Sequence, residues 1–394
     1  MALKLYPETA IQNIATMIRR GNGTNNTYTL SQMPAAISAL SNTGGDEASF
    51  ISMLSGTWTT LKSYSTGSYS RIKPYFLYSY SSNDGPSILN FPNVLEIGNA
   101  AFYDVRRLTS INFPICKKVG YSCFYNCSSL SNINIPLVEY LGSYAFCNTL
   151  LSLASFSKCT YLGAYTFAGC KNLSSVNLPL CEALEQGVFN NCTSLAYLSI
   201  PNLKIIGSSA FAYLSAPLFS SIFNANQCTI INDSAFYSCV TLSGANFINC
   251  SSIGNNAFRS CSSLKFINIP SCEYIGNSAF YSCNLLSYIN LSVCKTIGQY
   301  AFANCYSLST VDLGAVTELS YSAFVSCYTL LSVYIRTSFQ ISIPNVAVFA
   351  STPISTYTTS TGGIRGKIYV PASLVETYKT ATNWAAYSSV IYSI

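Results

Sequence analysis

Residues 257–278 read AFRSCSSLKFINIPSCEYIGNS, and residues 279–300 read AFYSCNLLSYINLSVCKTIGQY. The second phrase restates the first almost position for position and keeps a cysteine every 11 residues. The phenylalanine that opens each phrase serves as an anchor. It recurs at Phe102, Phe124, Phe146, Phe167, Phe189, Phe211, Phe236, Phe258, Phe280, Phe302 and Phe324, at spacings of 22, 22, 21, 22, 22, 25, 22, 22, 22 and 22. Eleven anchors at a near-constant interval define an internal repeat, and a repeat of this length signals a stacked architecture. The consensus is A-F-x-x-C-x-x-L-x-x-I-x-I-P-x-C-x-x-I-G-x-x.

The L-x-x-I-x-I core predicts a short strand. Ile267 and Ile269, Ile289 and Leu291, Val311 and Leu313 alternate inward, and the residue between each pair points out. Proline often follows, at Pro114, Pro136, Pro179, Pro201 and Pro270, and ends the strand because it has no N–H to donate. The pairs Ile275–Gly276 and Ile297–Gly298 read as an apolar residue before a turn glycine. One such unit cannot bury its own apolar face. Stacked neighbours build a continuous core, so the expected fold class is mainly β, a solenoid of about eleven 22-residue repeats. At about 4.8 Å per step the rod is on the order of 50 Å long.

The pattern AFxxCxxLxxIxIP followed by IG resembles the BspA-type leucine-rich repeat, found in surface and virion-associated proteins of host-associated bacteria and their phages. The resemblance covers residues 87–349, two thirds of the chain. It implies a curved solenoid used for binding, and it brings no catalytic motif with it.

The 17 cysteines follow the repeat. Cys127, Cys170, Cys192, Cys239, Cys261, Cys283, Cys305 and Cys327 sit three residues after an anchor. Cys116, Cys159, Cys181, Cys228, Cys250, Cys272 and Cys294 sit eight before one, and Cys123 and Cys147 are extra. In other coils the same slots hold Val105, Thr149 or Leu214, and Val94, Val138, Leu203 or Val316. A slot that takes Cys, Val or Leu is a small apolar core slot, and the thiols are read as packing residues. Disulfides are not expected, because ladder side chains run in parallel and the total is odd. Metal binding is not expected either, without C-x-x-C pairs or any histidine. So many free thiols fit folding in a reducing cytoplasm.

Composition narrows the function. The chain has 394 residues, only 9% of them charged, and a net charge of +6 with no concentrated basic stripe. Nucleic acid is therefore not an expected partner. No apolar run approaches the roughly 18–20 residues of a membrane span, and residues 1–20 lack the h-region of a signal peptide. With no histidine and 14 acidic residues, no acid–base or nucleophile–base pair suggests itself, so no enzyme and no cofactor is expected. The 30 tyrosines suit exposed recognition surfaces, since each buries apolar area while keeping a hydroxyl in water.

The flanks divide into three. Residues 1–45 form an expected helical docking or oligomerising module and linker. PETAIQNIATMIRRG places Ile11, Ile14 and Ile18 on one face of an amphipathic helix between Pro7 and Gly21. IQNIA-x-x-IR, followed by YT and MP-x-AI, resembles a short N-terminal module of tail and other virion-associated proteins of phages infecting Gram-positive gut bacteria. Residues 46–86 are a Tyr/Ser-rich N-terminal cap, and residues 350–394 a C-terminal cap. In the latter a strand runs to Val370, Pro371 stops it, and a helix starts near Ser373 with Leu374, Tyr378, Ala381 and Trp384 on its apolar side.

The expected function is a phage virion component, tail or fibre. It is assembled in the bacterial cytoplasm, joined to other virion proteins through residues 1–45, and recognises a host surface glycan or protein through the repeats. The alternative is a bacterial surface adhesin of the same repeat family, and a homo-oligomer is left open. Outward strand positions form an asparagine column, Asn112, Asn134, Asn177, Asn246, Asn268 and Asn290, beside Tyr197, Phe266, Tyr288 and, further on, Tyr334. Aromatic platforms with amide hydrogen-bonders suit glycans or protein epitopes. The ligand-binding candidates are therefore Asn177, Tyr197, Asn246, Phe266, Asn268, Tyr288, Asn290 and Tyr334. A plain solvated strand face would also hold Ser and Asn. The segment 64–80 and Tyr103, Tyr125, Tyr237 and Tyr281 compete for the role.

Overall fold

A computed structural model describes residues 87–215, 222–355 and 365–394, with Arg71, Ile72, Pro74, Phe76 and Leu77. The expected helix carrying Ile11, Ile14 and Ile18 lies outside the described residues, as does the segment 78–86.

Each coil contributes one long strand, one two-residue strand and one turn built on the anchor. The long strands come from the I-x-I core: Ser110–Asn112, Phe266–Asn268, Tyr288–Leu291 and their equivalents. They pair in parallel with their counterparts one repeat away, Gly244 against Phe266 and Ile267 against Ala245. The inward residues Ile267, Ile269, Ile289, Leu291, Val311 and Leu313 are all buried, as the alternation predicts. The result is a mainly β, parallel solenoid of stacked repeats of about 22 residues, with a short α-helix, Val375–Thr380, near the C-terminus.

The long-strand sheet is broken twice, between Asn132–Asn134 and Leu153–Ser155 and between Tyr197–Ser199 and Ile222–Asn224. Both breaks fall where the repeat departs from 22 residues, at 21 and 25. A missing or extra residue displaces the coil, and the inward Ile133 and Leu198 beside the breaks are left only partly buried.

The anchor turn closes the coil. The eleven anchor phenylalanines are fully buried and stack on one another, at 5.2 Å between Phe258 and Phe280 and between Phe280 and Phe302, with near-parallel rings. Phe349 extends the column, 5.8 Å from Phe324, as an anchor that the Ala-Phe signature hides because valine precedes it. Two residues on either side of each anchor, the backbone is left-handed: Asn256 and Ser260 around Phe258, Ser278 and Ser282 around Phe280. Ser, Asn, Asp, Gly and Tyr dominate these places, and the small polar types tolerate that conformation best. Its cost is offset by three bonds per coil to the next: Asn256 N to Asn277 O, Phe258 N to Ala279 O and Ser260 N to Tyr281 O, all 2.7–2.9 Å.

The I-G glycine is needed for a reason other than the expected turn. A Cβ on Gly276 would sit 2.6 Å from the Asn255 N and the Gly254 carbonyl carbon of the preceding coil. Glycine there lets two backbones touch. Beside it, Asn255 Oδ1 accepts from Asn277 N, and Asn277 Oδ1 from Gln299 N, at 2.8 Å each.

At the C-terminus, strand Lys367–Val370 joins the long-strand sheet as expected. After Pro371 come a 3-10 turn, the helix Val375–Thr380, a second 3-10 turn Trp384–Val390 and an unanticipated final strand, Ile391–Ser393. Tyr378 and Trp384 are buried, while Leu374 and Ala381 pack on the core half-buried. Trp384 Nε1 donates to Ile341 O at 2.8 Å, and Phe349 meets Tyr387 edge-on at 5.6 Å, so the phenylalanine column ends under these aromatics.

Candidate ligand-binding face

The outward positions of the long strands form two columns, because parallel in-register pairing puts equivalent residues side by side. One runs Ile222, Gly244, Phe266, Tyr288, Thr310, Ser332, Lys367. The other runs Asn224, Asn246, Asn268 and, further along, Asn290, Asp312, Tyr334, Tyr369, Tyr392. The structure thus brings Asn246, Phe266, Asn268, Tyr288, Asn290 and Tyr334 onto one eight-stranded sheet. Asn177 and Tyr197 lie on the separate three-stranded sheet beyond the break. Tyr334 stands in the asparagine column, not beside it as the sequence order suggests.

The asparagines bond to one another. Asn246 Nδ2 donates to Asn224 Oδ1 at 2.7 Å, Asn112 Nδ2 to Asn90 Oδ1 at 2.8 Å and Asn134 Nδ2 to Asn112 Oδ1 at 2.6 Å. Asn177 Nδ2 reaches Ser155 Oγ at 3.5 Å, and Asn290 Oδ1 accepts from Ser292 N. This amide ladder leaves the aromatic column as the projecting surface. Tyr197 is 57% exposed, Tyr288 51% and Phe266 39%. Gly244 provides the seat for Phe266: a Cβ there would lie 2.3 Å from the ring.

The sequence reading missed the polar end of this face. Arg336 Nε donates to both oxygens of Asp312, at 2.8 and 2.9 Å, and its guanidinium lies 5.3 Å from the Tyr334 ring. The hydrogen bond to Asp312 is the first cause that raises the arginine pKa; the charge of Asp312 and the nearby Tyr334 and Tyr288 add to it. Tyr334 stacks on Tyr369 at 4.8 Å, and Lys367 Nζ stands 5.1 Å over Tyr392. Arg336 sits beyond the I-x-I core, and Lys367 and Tyr369 lie after the last recognisable repeat, so only the strand register places them here.

The competing tyrosines are paired off. Tyr103 stacks on Tyr125 at 4.9 Å, Tyr237 meets Tyr213 edge-on at 5.4 Å, and the Arg259 guanidinium covers Tyr281 at 4.2 Å. The 17 cysteines are free and buried, as expected of packing residues. They do more than fill space. In the first ladder each thiol donates to the anchor carbonyl of the preceding coil, Cys283 to Phe258 O and Cys305 to Phe280 O at 3.2 Å. In the second, Cys272 donates to Tyr274 O at 3.2 Å and Cys294 to Thr296 O at 3.3 Å. Burial pushes the thiols up, Cys116, Cys228 and Cys294 to about 12. Among the described residues no group of three or more His, Cys, Asp or Glu could hold a metal ion, and no helix is long and apolar enough to cross a membrane.

The profile of the BspA type leucine rich repeat region matches residues 95–218 and 229–355, in six copies. The chain belongs to the BspA-type leucine-rich repeat family. Among solved structures this BspA-type chain is similar to a leucine-rich repeat protein from Bacteroides ovatus, at 22% identity over 84% of this chain and 90% of that one, with a TM-score of 0.58. It is also similar to a leucine rich cell surface protein from Faecalibacterium prausnitzii, at 23% identity over 72% and 88%, with a TM-score of 0.44. The likeness to the first is one of fold. No curated protein matches the chain. A BspA-type solenoid has a binding or structural role, and that role is what this surface serves.

Proposed function

We propose that the chain is a non-enzymatic binding protein displayed at an outer surface, a BspA-type adhesin that grips a surface glycan or protein through its long-strand face. The observation that carries this reading is the projecting column of Phe266 and Tyr288 above an amide ladder that is already bonded to itself. Aromatic rings on a rigid sheet offer contact area at low cost in side-chain entropy. The column includes the candidates Phe266 and Tyr288; Asn246, Asn268, Asn290 and Tyr334 flank it, and Asn177 and Tyr197 would form a separate contact.

A second reading is a virion component docked through Ile11, Ile14 and Ile18. It draws on the phage-like motif in residues 1–40 and on 17 unpaired thiols, which suit assembly in a reducing cytoplasm. Fractionation separates the two. Protease shaving of intact producer cells releases peptides of a surface adhesin, whereas a virion component co-purifies with particles and Ile14→Asp removes it from them. In either case, Phe266→Ala with Tyr288→Ala should cut binding of the full chain to target cells at least tenfold. Unchanged binding with an unchanged urea midpoint would remove this face from the function.

A further inference from the structure

The carboxylates of this protein are not spread evenly. Glu96, Glu139, Glu182, Glu273 and Glu318 lie on or beside the two-residue strands, with Glu185 and Asp233 just after them. Three of them are paired there with lysines, Glu139 with Lys117, Glu182 with Lys204 and Glu273 with Lys295. Among the described outward positions of the long strands, from Ile88 to Tyr392, Asp312 is the single carboxylate, and Arg336 holds it.

The cations on that face gather at one end. Lys367 follows Ser332 in the aromatic column, Arg336 lies just past Tyr334, and Lys265 immediately precedes Phe266. Arg336 spends its Nε on Asp312, and among the described residues no hydrogen bond occupies Nη1 or Nη2. That edge of a guanidinium matches the two oxygens of a carboxylate. The side chain is 48% exposed and steadied against Tyr334, so the fork is presented and not buried. Lys367 is exposed, has no acidic partner among the described residues and rests over Tyr392. Between Tyr288 and Lys367 lie three strand steps, on the order of 14 Å.

We infer that this end of the face binds a polysaccharide of carboxylated sugars, with Arg336 and Lys367 taking the carboxylates and Tyr288 the apolar side of a neighbouring ring. The inference rests on the proposed function and narrows its ligand class. The absence of unpaired acid from the face removes the repulsion a polyanion would otherwise meet, and the aromatic column favours a sugar chain over a featureless acidic one.

The full chain is tested for binding to polygalacturonate and hyaluronate, to their methyl esters, and to polyglutamate. The expected result is binding to the acidic polysaccharides, at least tenfold weaker binding to the neutral esters, and weakening between about 0.05 and 0.5 M salt. Arg336→Gln and Lys367→Gln should each reduce binding at least fivefold, and Arg336→Lys should restore only part of it. Lys367→Gln leaves no carboxylate unpaired, so it keeps the test decisive if Arg336→Gln perturbs folding. Equal binding of ester and acid, equal binding of polyglutamate, or no binding of any acidic polysaccharide overturns the inference. The broader reading of the face survives those results as long as Phe266→Ala with Tyr288→Ala still abolishes attachment to cells, and falls separately if it does not.

Discussion

The Cys283 thiol donates to the backbone carbonyl of Phe258, one coil back, across 3.2 Å. The acceptor belongs to a ring that stacks on Phe280, the anchor three residues before the cysteine. Anchor and thiol of one coil thus hold the same residue of its neighbour, one by its ring and the other by its carbonyl. A repeat that keeps both positions ties each coil to the previous one twice.

Cys283→Val keeps the apolar volume but removes the donor from a buried carbonyl. It should destabilise the solenoid by about 1 kcal/mol, read as a lowered urea midpoint. A variant as stable as the parent would mean that the slot needs only volume.

Phe280→Ala opens a cavity between Phe258 and Phe302 in a fully buried column. The expected loss is about 3–5 kcal/mol. Because coils interact mainly with neighbours, hydrogen exchange should show the greatest loss of protection in the coils flanking Phe280, and uniform weakening along the chain would contradict that.

Gly276→Ala places a methyl where the Asn255 N lies 2.6 Å away, against backbone that cannot rotate aside. The coils must separate, at about 1–3 kcal/mol. If a turn conformation were the reason for glycine, Gly276→Asn would be tolerated; contact with the preceding coil predicts that asparagine fails as alanine does.

The buried thiols set an alkaline limit. Folded Cys116, Cys228 and Cys294 keep their protons to about 12, whereas in the unfolded chain they lose them near the ordinary value of 9.0. A raised folded pKa contributes stability that is whole below the unfolded value and is lost as pH climbs between the two. Each thiol then removes up to about 1.4 kcal/mol per pH unit. Tm should hold below about pH 8 and fall steeply above about pH 9. Cys228→Val with Cys294→Val should flatten the fall, and an identical slope in parent and variant would assign it to other groups.

Much of the fold was legible in the residues themselves. The spacing of Phe258, Phe280 and Phe302 defines the coil, and the alternation of Ile267 and Ile269 defines the strand and its buried side, because both follow from local periodicity. Valine and leucine in place of cysteine mark the thiol slots as core. The left-handed pairs around each anchor also left a trace, since Ser, Asn and Gly recur two residues either side. That trace was legible but passed over.

What the tertiary structure alone decided concerns partners one coil away. The reason for Gly276 is the backbone of residues 254–255, and the carbonyl that Cys283 satisfies belongs to Phe258. Asn246 bonds to Asn224, Phe266 settles on Gly244, and Tyr334 falls into the asparagine column. Arg336 and Lys367, 31 residues apart and outside the clear repeat, meet on one face. A linear pattern records what each position resembles. Which neighbour it touches depends on how coils of 21, 22 and 25 residues settle against one another, and that offset is set by packing and hydrogen bonding between coils.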